Sequence, residues 1–203
     1  MPNCYARQTA LHDAGGRVDY ITNPKRQERL LGVCDAAEAA LSGYWEQVSR
    51  ESRAAHKHAN AGTKVVEGRE LVIQLSNSLL DRMTPDEICR TMAEDFQRRY
   101  GRPCTVALHF NKRQCNLHAH LIYSERELLQ EPVYKEAKRD LFMDADGRRH
   151  YRKAEILDAS GQLRPGCFII PAGATYDTRF FGPRDARFST PAWLRECKAD
   201  WVV

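Results

Sequence analysis

The sequence predicts an α+β fold built on an antiparallel sheet. Strand-like and helix-like stretches follow one another in mixed order along the 203 residues, which argues against a doubly wound parallel sheet. Two of the strands, 105–110 and 117–123, are joined by only six residues, a connection that suits antiparallel neighbours.

Each element has a local reason. Residues 35–58 read as a helix, with Asp35 as its N-cap and Asn60-Ala61-Gly62 as its end. Glu70–Ser76 (ELVIQLS) reads as a strand with Leu71, Ile73 and Leu75 on one face. Thr84-Pro85-Asp86-Glu87 starts a second helix: Thr84 caps it, Pro85 suits the first helical position, and Glu87 closes a capping box. That helix runs to about Tyr100 and stops at Gly101, with Pro103 just beyond. Thr105–Phe110 (TVALHF) and Leu117–Tyr123 (LHAHLIY) are two further strands. Gly147 and Gly161 mark turns in a hairpin region over 140–170, and Ala192–Trp201 reads as a C-terminal helix. The chain is expected to form one domain over 1–203. Its last helix has no polar tail after it, as in the N-terminal fragment of a longer protein.

Composition narrows the class. A content of 42% hydrophobic and 29% charged residues is that of a soluble globular domain. No apolar run approaches the ~18–20 residues of a membrane-spanning helix, and the N-terminus has no apolar stretch of signal-peptide length. No membrane insertion and a cytoplasmic location are therefore expected. The 7 cysteines are odd in number and scattered, with no CxxC, which fits reduced thiols. Net charge is only +4, but its distribution is uneven. Between Arg98 and Ala119 stand Arg98, Arg99, Arg102, Lys112 and Arg113 with no acid, and Arg148, Arg149, Arg152 and Lys153 form a second cluster. Such runs suit phosphate, or else a solvated face.

His118 and His120 are the most informative residues. At i and i+2 of a strand they project from one face, while Leu117, Ala119, Leu121 and Tyr123 take the other. In the preceding strand Val106, Leu108 and Phe110 are the apolar face, so His109 points opposite them. Pairing across loop 111–116 brings His109 near His118 and gathers three imidazoles on one side of the sheet. Three neutral imidazoles are a divalent-metal set that leaves positions for substrate. Zinc hydrolases use the same set, so the spacing does not name the chemistry. A metal that polarises a phosphodiester needs a nucleophile, either water or a side chain. Gly16–Glu28 (GRVDYITNPKRQE) offers Tyr20 amid basic residues.

Asp19-Tyr20-Ile21, then His109, then Asn116-Leu117-His118-Ala119-His120-Leu121-Ile122 together resemble the MobA/MobL-type mobilisation relaxases of the HUH endonuclease group. Arg69-Glu70, Ser124-Glu125-Arg126 and the late Phe142-Met143-Asp144…Gly147 segment extend the resemblance over roughly residues 5–165. It implies an antiparallel sheet of about five strands flanked by helices. It implies a DNA relaxase, a single-strand endonuclease that nicks at an origin of transfer during conjugation or mobilisation. Tyr20 would attack the scissile phosphate and form a 5′-phosphotyrosine. His109, His118 and His120 would hold a divalent ion, Mg²⁺ or Mn²⁺. The implied partners are single-stranded origin DNA, accessory mobilisation proteins and a type IV secretion coupling protein. Lys25, Arg26, Lys112 and Arg113 flank the nucleophile and the metal loop in sequence and are the expected phosphate contacts.

The sequence departs from the family pattern in two places. Leu117 stands where proline is usual, and Asn111 where many members have an acid. Glu70 is then the candidate accessory acid, though an exposed charge at the start of a strand is the plainer reading. Tyr5 is the rival nucleophile, without the Asp-Tyr-Ile context. Two other functional classes stay open: a three-histidine hydrolytic metallonuclease or phosphatase, for which Tyr20 is dispensable, and a non-catalytic replication or origin-binding module.

Overall fold

Alternating apolar and polar residues lay the central sheet down strand by strand. The computed structural model describes residues 6–26, 29–56, 63–111, 113 and 115–200. The chain opens with strand β1 (Ala6–Leu11), helix α1 (Ala14–Thr22), strand β2 (Leu30–Asp35) and helices α2 (Ala36–Ala40) and α3 (Tyr44–Ala55). Strand β3 (Gly68–Leu75), helix α4 (Pro85–Tyr100) and strands β4 (Cys104–Phe110) and β5 (Leu117–Tyr123) follow. Then come β6 (Arg126–Glu136), the short strands β7 (Leu141–Met143), β8 (Arg149–His150) and β9 (Phe168–Ile170), β10 (Thr175–Arg184) and helix α5 (Pro191–Asp200).

Five strands pair in the order β1-β3-β5-β4-β2, each neighbouring pair antiparallel. Helices flank this sheet, as the predicted α+β class requires. Helix α4 covers one face. Its Ile88, Met92 and Phe96 pack on Leu71, Ile73, Val106, Leu108, Ala119 and Leu121, and Phe188 and Trp193 close the same core. Its termini match expectation: Thr84 and Glu87 make the capping box, Pro85 begins the helix, and Gly101 ends it in the left-handed region at φ 65°.

The opposite face is covered by α1 and α3. Val18 and Ile21 of α1 and Trp45 and Val48 of α3 are buried there, and the Trp45 Nε1–H donates to Thr105 Oγ1 at 2.9 Å. Gly68 admits this close approach, because a Cβ there would lie 2.9 Å from the Tyr123 carbonyl oxygen and 3.5 Å from Ala14. Helix α1 forms despite Gly15 and Gly16, which disfavour helix. The Asp13 carboxylate accepts from the Gly16 amide at 3.0 Å, and Ala14, Val18 and Ile21 bury one stripe of the helix.

The single helix expected over 35–58 is instead two. Asp35 caps as expected, accepting from the Glu38 amide, but α2 spans only five residues. Gly43, at φ 68°, then turns the chain into α3, a conformation costly for a residue with a Cβ. The expected helix end at Asn60-Ala61-Gly62 lies outside the described residues.

The chain divides into two compact units. The first, residues 1–128 and 181–203, holds the five-stranded sheet. The second, residues 129–180, holds a three-stranded sheet in the order β8-β7-β9. Gly147 and Gly161 turn the chain there at φ 71° and φ 80°, within the hairpin region expected over 140–170. Among the described residues, no helix is long and apolar enough to cross a membrane.

Candidate metal centre

Strands β4 and β5 bring three histidines together. They pair with His109 opposite His118 and Ala107 opposite His120, the register that the two apolar faces demand. Alternation sends all three imidazoles to the face covered by α1 and α3. One ring nitrogen from each lies within 4.8 Å of the others. Ring centroids are 4.9 Å apart for His109 and His120, 5.1 Å for His118 and His120, and 5.8 Å for His109 and His118. Strand β2 bulges between Leu30 and Gly32, where Leu30 meets His109.

Hydrogen bonds orient the rings. His109 Nε2 lies 2.8 Å from the Ile21 carbonyl oxygen, His118 Nδ1 lies 3.2 Å from that of Asn116, and His120 Nδ1 lies 2.6 Å from Glu70 Oε1. A carbonyl or carboxylate oxygen only accepts, so each of those ring nitrogens carries the proton. The lone pairs then sit on Nδ1 of His109 and Nε2 of His118 and His120. Three imidazoles, each anchored through its other nitrogen, are the donor set of a metal centre. The cluster can hold a metal ion.

Glu70 anchors the His120 ring. It is 5% exposed, so the reading of an exposed strand-start charge is overturned. Arg17 grips its carboxylate, with Nε at 3.1 Å from both oxygens and a terminal nitrogen at 2.7 Å from Oε1. Burial raises the Glu70 carboxyl pKa, but the hydrogen bonds from His120 and Arg17 outweigh it and hold the group below its ordinary value. Glu70→Ala is expected to weaken Mn²⁺ binding by about 10–100-fold, with Glu70→Gln, which keeps an acceptor, in between. Titration calorimetry checks this; wild-type affinity in the alanine variant would show that the carboxylate does not tune the centre.

His109 is the buried member, 2% exposed. Burial first, then the neighbouring His120, push its pKa down to about 4, against the opposing bond to Ile21. It is therefore neutral and ready to ligate at neutral pH. The unfolded chain, with an ordinary value of 6.5, takes up this proton first as pH falls. Stability from His109 is thus complete above about pH 6.5 and is lost as pH drops toward 4. The melting temperature of chelator-treated protein should fall between pH 6.5 and 4.5, and His109→Gln should flatten that part of the curve.

Tyr20 sits on α1 and is 41% exposed. Ile21, next to it, supplies the carbonyl that orients His109. The Arg17 guanidinium lies 5.1 Å from the centre of the Tyr20 ring, so one arginine touches both the tyrosine ring and the carboxylate that anchors His120. Arg17 escaped the sequence reading. Its signal is the i, i+3 spacing to Tyr20, which has meaning only once 14–22 is known to be helical. Asn111, where an acid was considered, accepts from the amides of Cys115 and Asn116 at 3.0 and 3.2 Å and staples the β4–β5 loop.

Lys25 and Arg26 are exposed just after α1, and Arg113 is exposed in the β4–β5 loop. Lys112 and the rival nucleophile Tyr5 lie outside the described residues. No protein-family model matches the chain, and no curated protein matches it.

Proposed function

We propose that this protein is a metal-dependent nicking enzyme for single-stranded DNA, of the kind the MobA/MobL-type resemblance implies, with Tyr20 as its nucleophile. The observation that carries the reading is the convergence of His109, His118 and His120 within 4.8 Å, on the face over which the Tyr20-bearing helix packs. A divalent cation bound there supplies Lewis-acid polarisation of a phosphate oxygen. Three nitrogen donors favour Mn²⁺ over Mg²⁺, although the resemblance admits either.

The chain's own residues do the rest. His109, His118 and His120 offer neutral lone pairs. Glu70 and the Ile21 carbonyl hold two of the rings. Arg17 braces the Tyr20 ring. Lys25, Arg26, Lys112 and Arg113 bind the DNA backbone as point charges. The Tyr20 phenolic oxygen attacks phosphorus, the bond from phosphorus to the 3′ oxygen breaks, the phenol gives up its proton, and the 3′ oxygen gains one. One ester replaces another, so the strand can be rejoined. Accessory mobilisation proteins and a secretion coupling protein belong to the same reading.

A single-stranded DNA pool of randomised sequence, labelled at one end or the other and incubated with Mn²⁺, tests it. A 5′-phosphotyrosine keeps the 3′-labelled fragment on the protein through boiling in detergent and releases the 5′-labelled one. Cleavage with neither label retained would assign the reaction to water and favour a hydrolytic metallonuclease.

A further inference from the structure

Among the described residues, all but one of the exposed large hydrophobic side chains lie in the second unit: Val133, Tyr134, Tyr151, Leu163, Phe168 and Tyr176. Tyr151 is the most exposed at 86%. It stands inside Arg148-Arg149-His150-Tyr151-Arg152-Lys153, four cations and no acid in six residues, and all four cations are exposed.

Several arginines of the first unit are committed to carboxylates: Arg17 to Glu70, Arg53 to Glu67, Arg69 and Arg184 to Glu125, Arg99 to Asp95. No such ion pair among the described residues engages Arg148, Arg149, Arg152 or Lys153. Two nearby acids, Asp144 and Glu155, are engaged otherwise. Asp144 accepts from the amides of Asp146 and Arg148 and from His150 Nε2 at 2.9 Å. Glu155 accepts from the Tyr151 amide at 3.2 Å and faces His150 Nδ1 at 3.3 Å. These bonds tie the turn down while its cations stay unmatched, a repulsive arrangement that an anion relieves.

The small sheet adds a second feature. Met143 of β7 pairs with Arg149 on one side and Phe168 on the other. A guanidinium and an aromatic ring 47% exposed therefore share one face across three strands.

We infer that the Arg148–Lys153 turn and the adjoining Arg149–Phe168 face of the second unit bind single-stranded nucleic acid. Arg148, Arg149, Arg152 and Lys153 take the phosphates, and Tyr151 and Phe168 stack on unpaired bases. Cations interleaved with exposed rings on a tied-down sheet and turn suit a strand whose bases are open. An anionic lipid surface draws cations too, but favours an apolar face inserted as a unit rather than rings spaced between arginines. The surface goes beyond the nicking reading and needs neither the metal nor Tyr20.

Anisotropy of a labelled dT20 oligonucleotide on the full chain tests it. A Tyr20→Phe background prevents cutting, so a failure of the nicking reading leaves the binding result untouched. Arg149→Ala with Arg152→Ala is expected to flatten the slope of log affinity against log salt by about 1.4, at roughly 0.7 for each phosphate contact. Tyr151→Ala should weaken binding about tenfold or more at fixed salt without changing the slope, and Tyr151→Phe should restore it. Wild-type affinity and slope in these variants, with unchanged melting temperatures, would overturn the inference. So would capture by phosphatidylserine vesicles, lost in the same variants, with no binding of the oligonucleotide.

Discussion

Replacing Tyr20 by Phe is expected to lower the yield of covalent protein–DNA adduct by more than about a thousandfold, since a reaction deprived of its nucleophile keeps little of its rate. DNA binding should stay within about twofold, because the ring, its contact with Arg17 and the exposed Lys25 and Arg26 all remain. Folding should be unaffected: Tyr20 is 41% exposed and only an oxygen is lost. A gel assay of adduct beside an anisotropy titration separates the two effects. Wild-type adduct from the variant would direct attention to Tyr5.

The second large effect is on metal affinity. His118→Ala removes one of three donors from a partly exposed position on β5, so it should weaken Mn²⁺ binding by one or more orders of magnitude with little change in melting temperature. His109→Ala should weaken metal binding as much. It should also lower the melting temperature of the chelated protein, since the Ile21 carbonyl loses its donor inside the fold at a cost of about 1–3 kcal/mol. Nicking should fall nearly as far in single as in double variants, because ligands to one ion act as a unit. Calorimetry showing unchanged Mn²⁺ affinity in His118→Ala would remove the centre from the account.

What could be read from the sequence depended on how cleanly each element separates its two faces. The β4–β5 hairpin was legible because Val106, Leu108 and Phe110 answer Leu117, Ala119 and Leu121, which excludes one-residue slips, and the six-residue loop brings His109 opposite His118. Helix α4 was legible because Thr84, Pro85, Glu87 and Gly101 mark both ends. Strand β1 was not. It is an edge strand with Arg7 and Gln8 in its first half, and among the described residues it pairs only with β3. Helix α1 hid behind Gly15 and Gly16, although Ala14, Val18 and Ile21 keep helical spacing. Missing α1 had a consequence for the site. Tyr20 could be named from its neighbours in sequence, but not the Arg17 contact or the Ile21 carbonyl on His109. Glu70 was legible as a residue on the strand face opposite Leu71, Ile73 and Leu75, whereas its burial and its place beside the histidines became visible only with Arg17 and His120 in place.

The proposed reaction makes a covalent bond to one named oxygen, and peptide mapping tests it most directly. Adduct formed with Mn²⁺ and single-stranded DNA is trimmed with nuclease, digested with trypsin and read by mass spectrometry. A nucleotide joined through its phosphate is expected on Tyr20, within the peptide Val18–Lys25. A nucleotide carried by any other residue, or a cut DNA strand with no modified peptide at all, would contradict it.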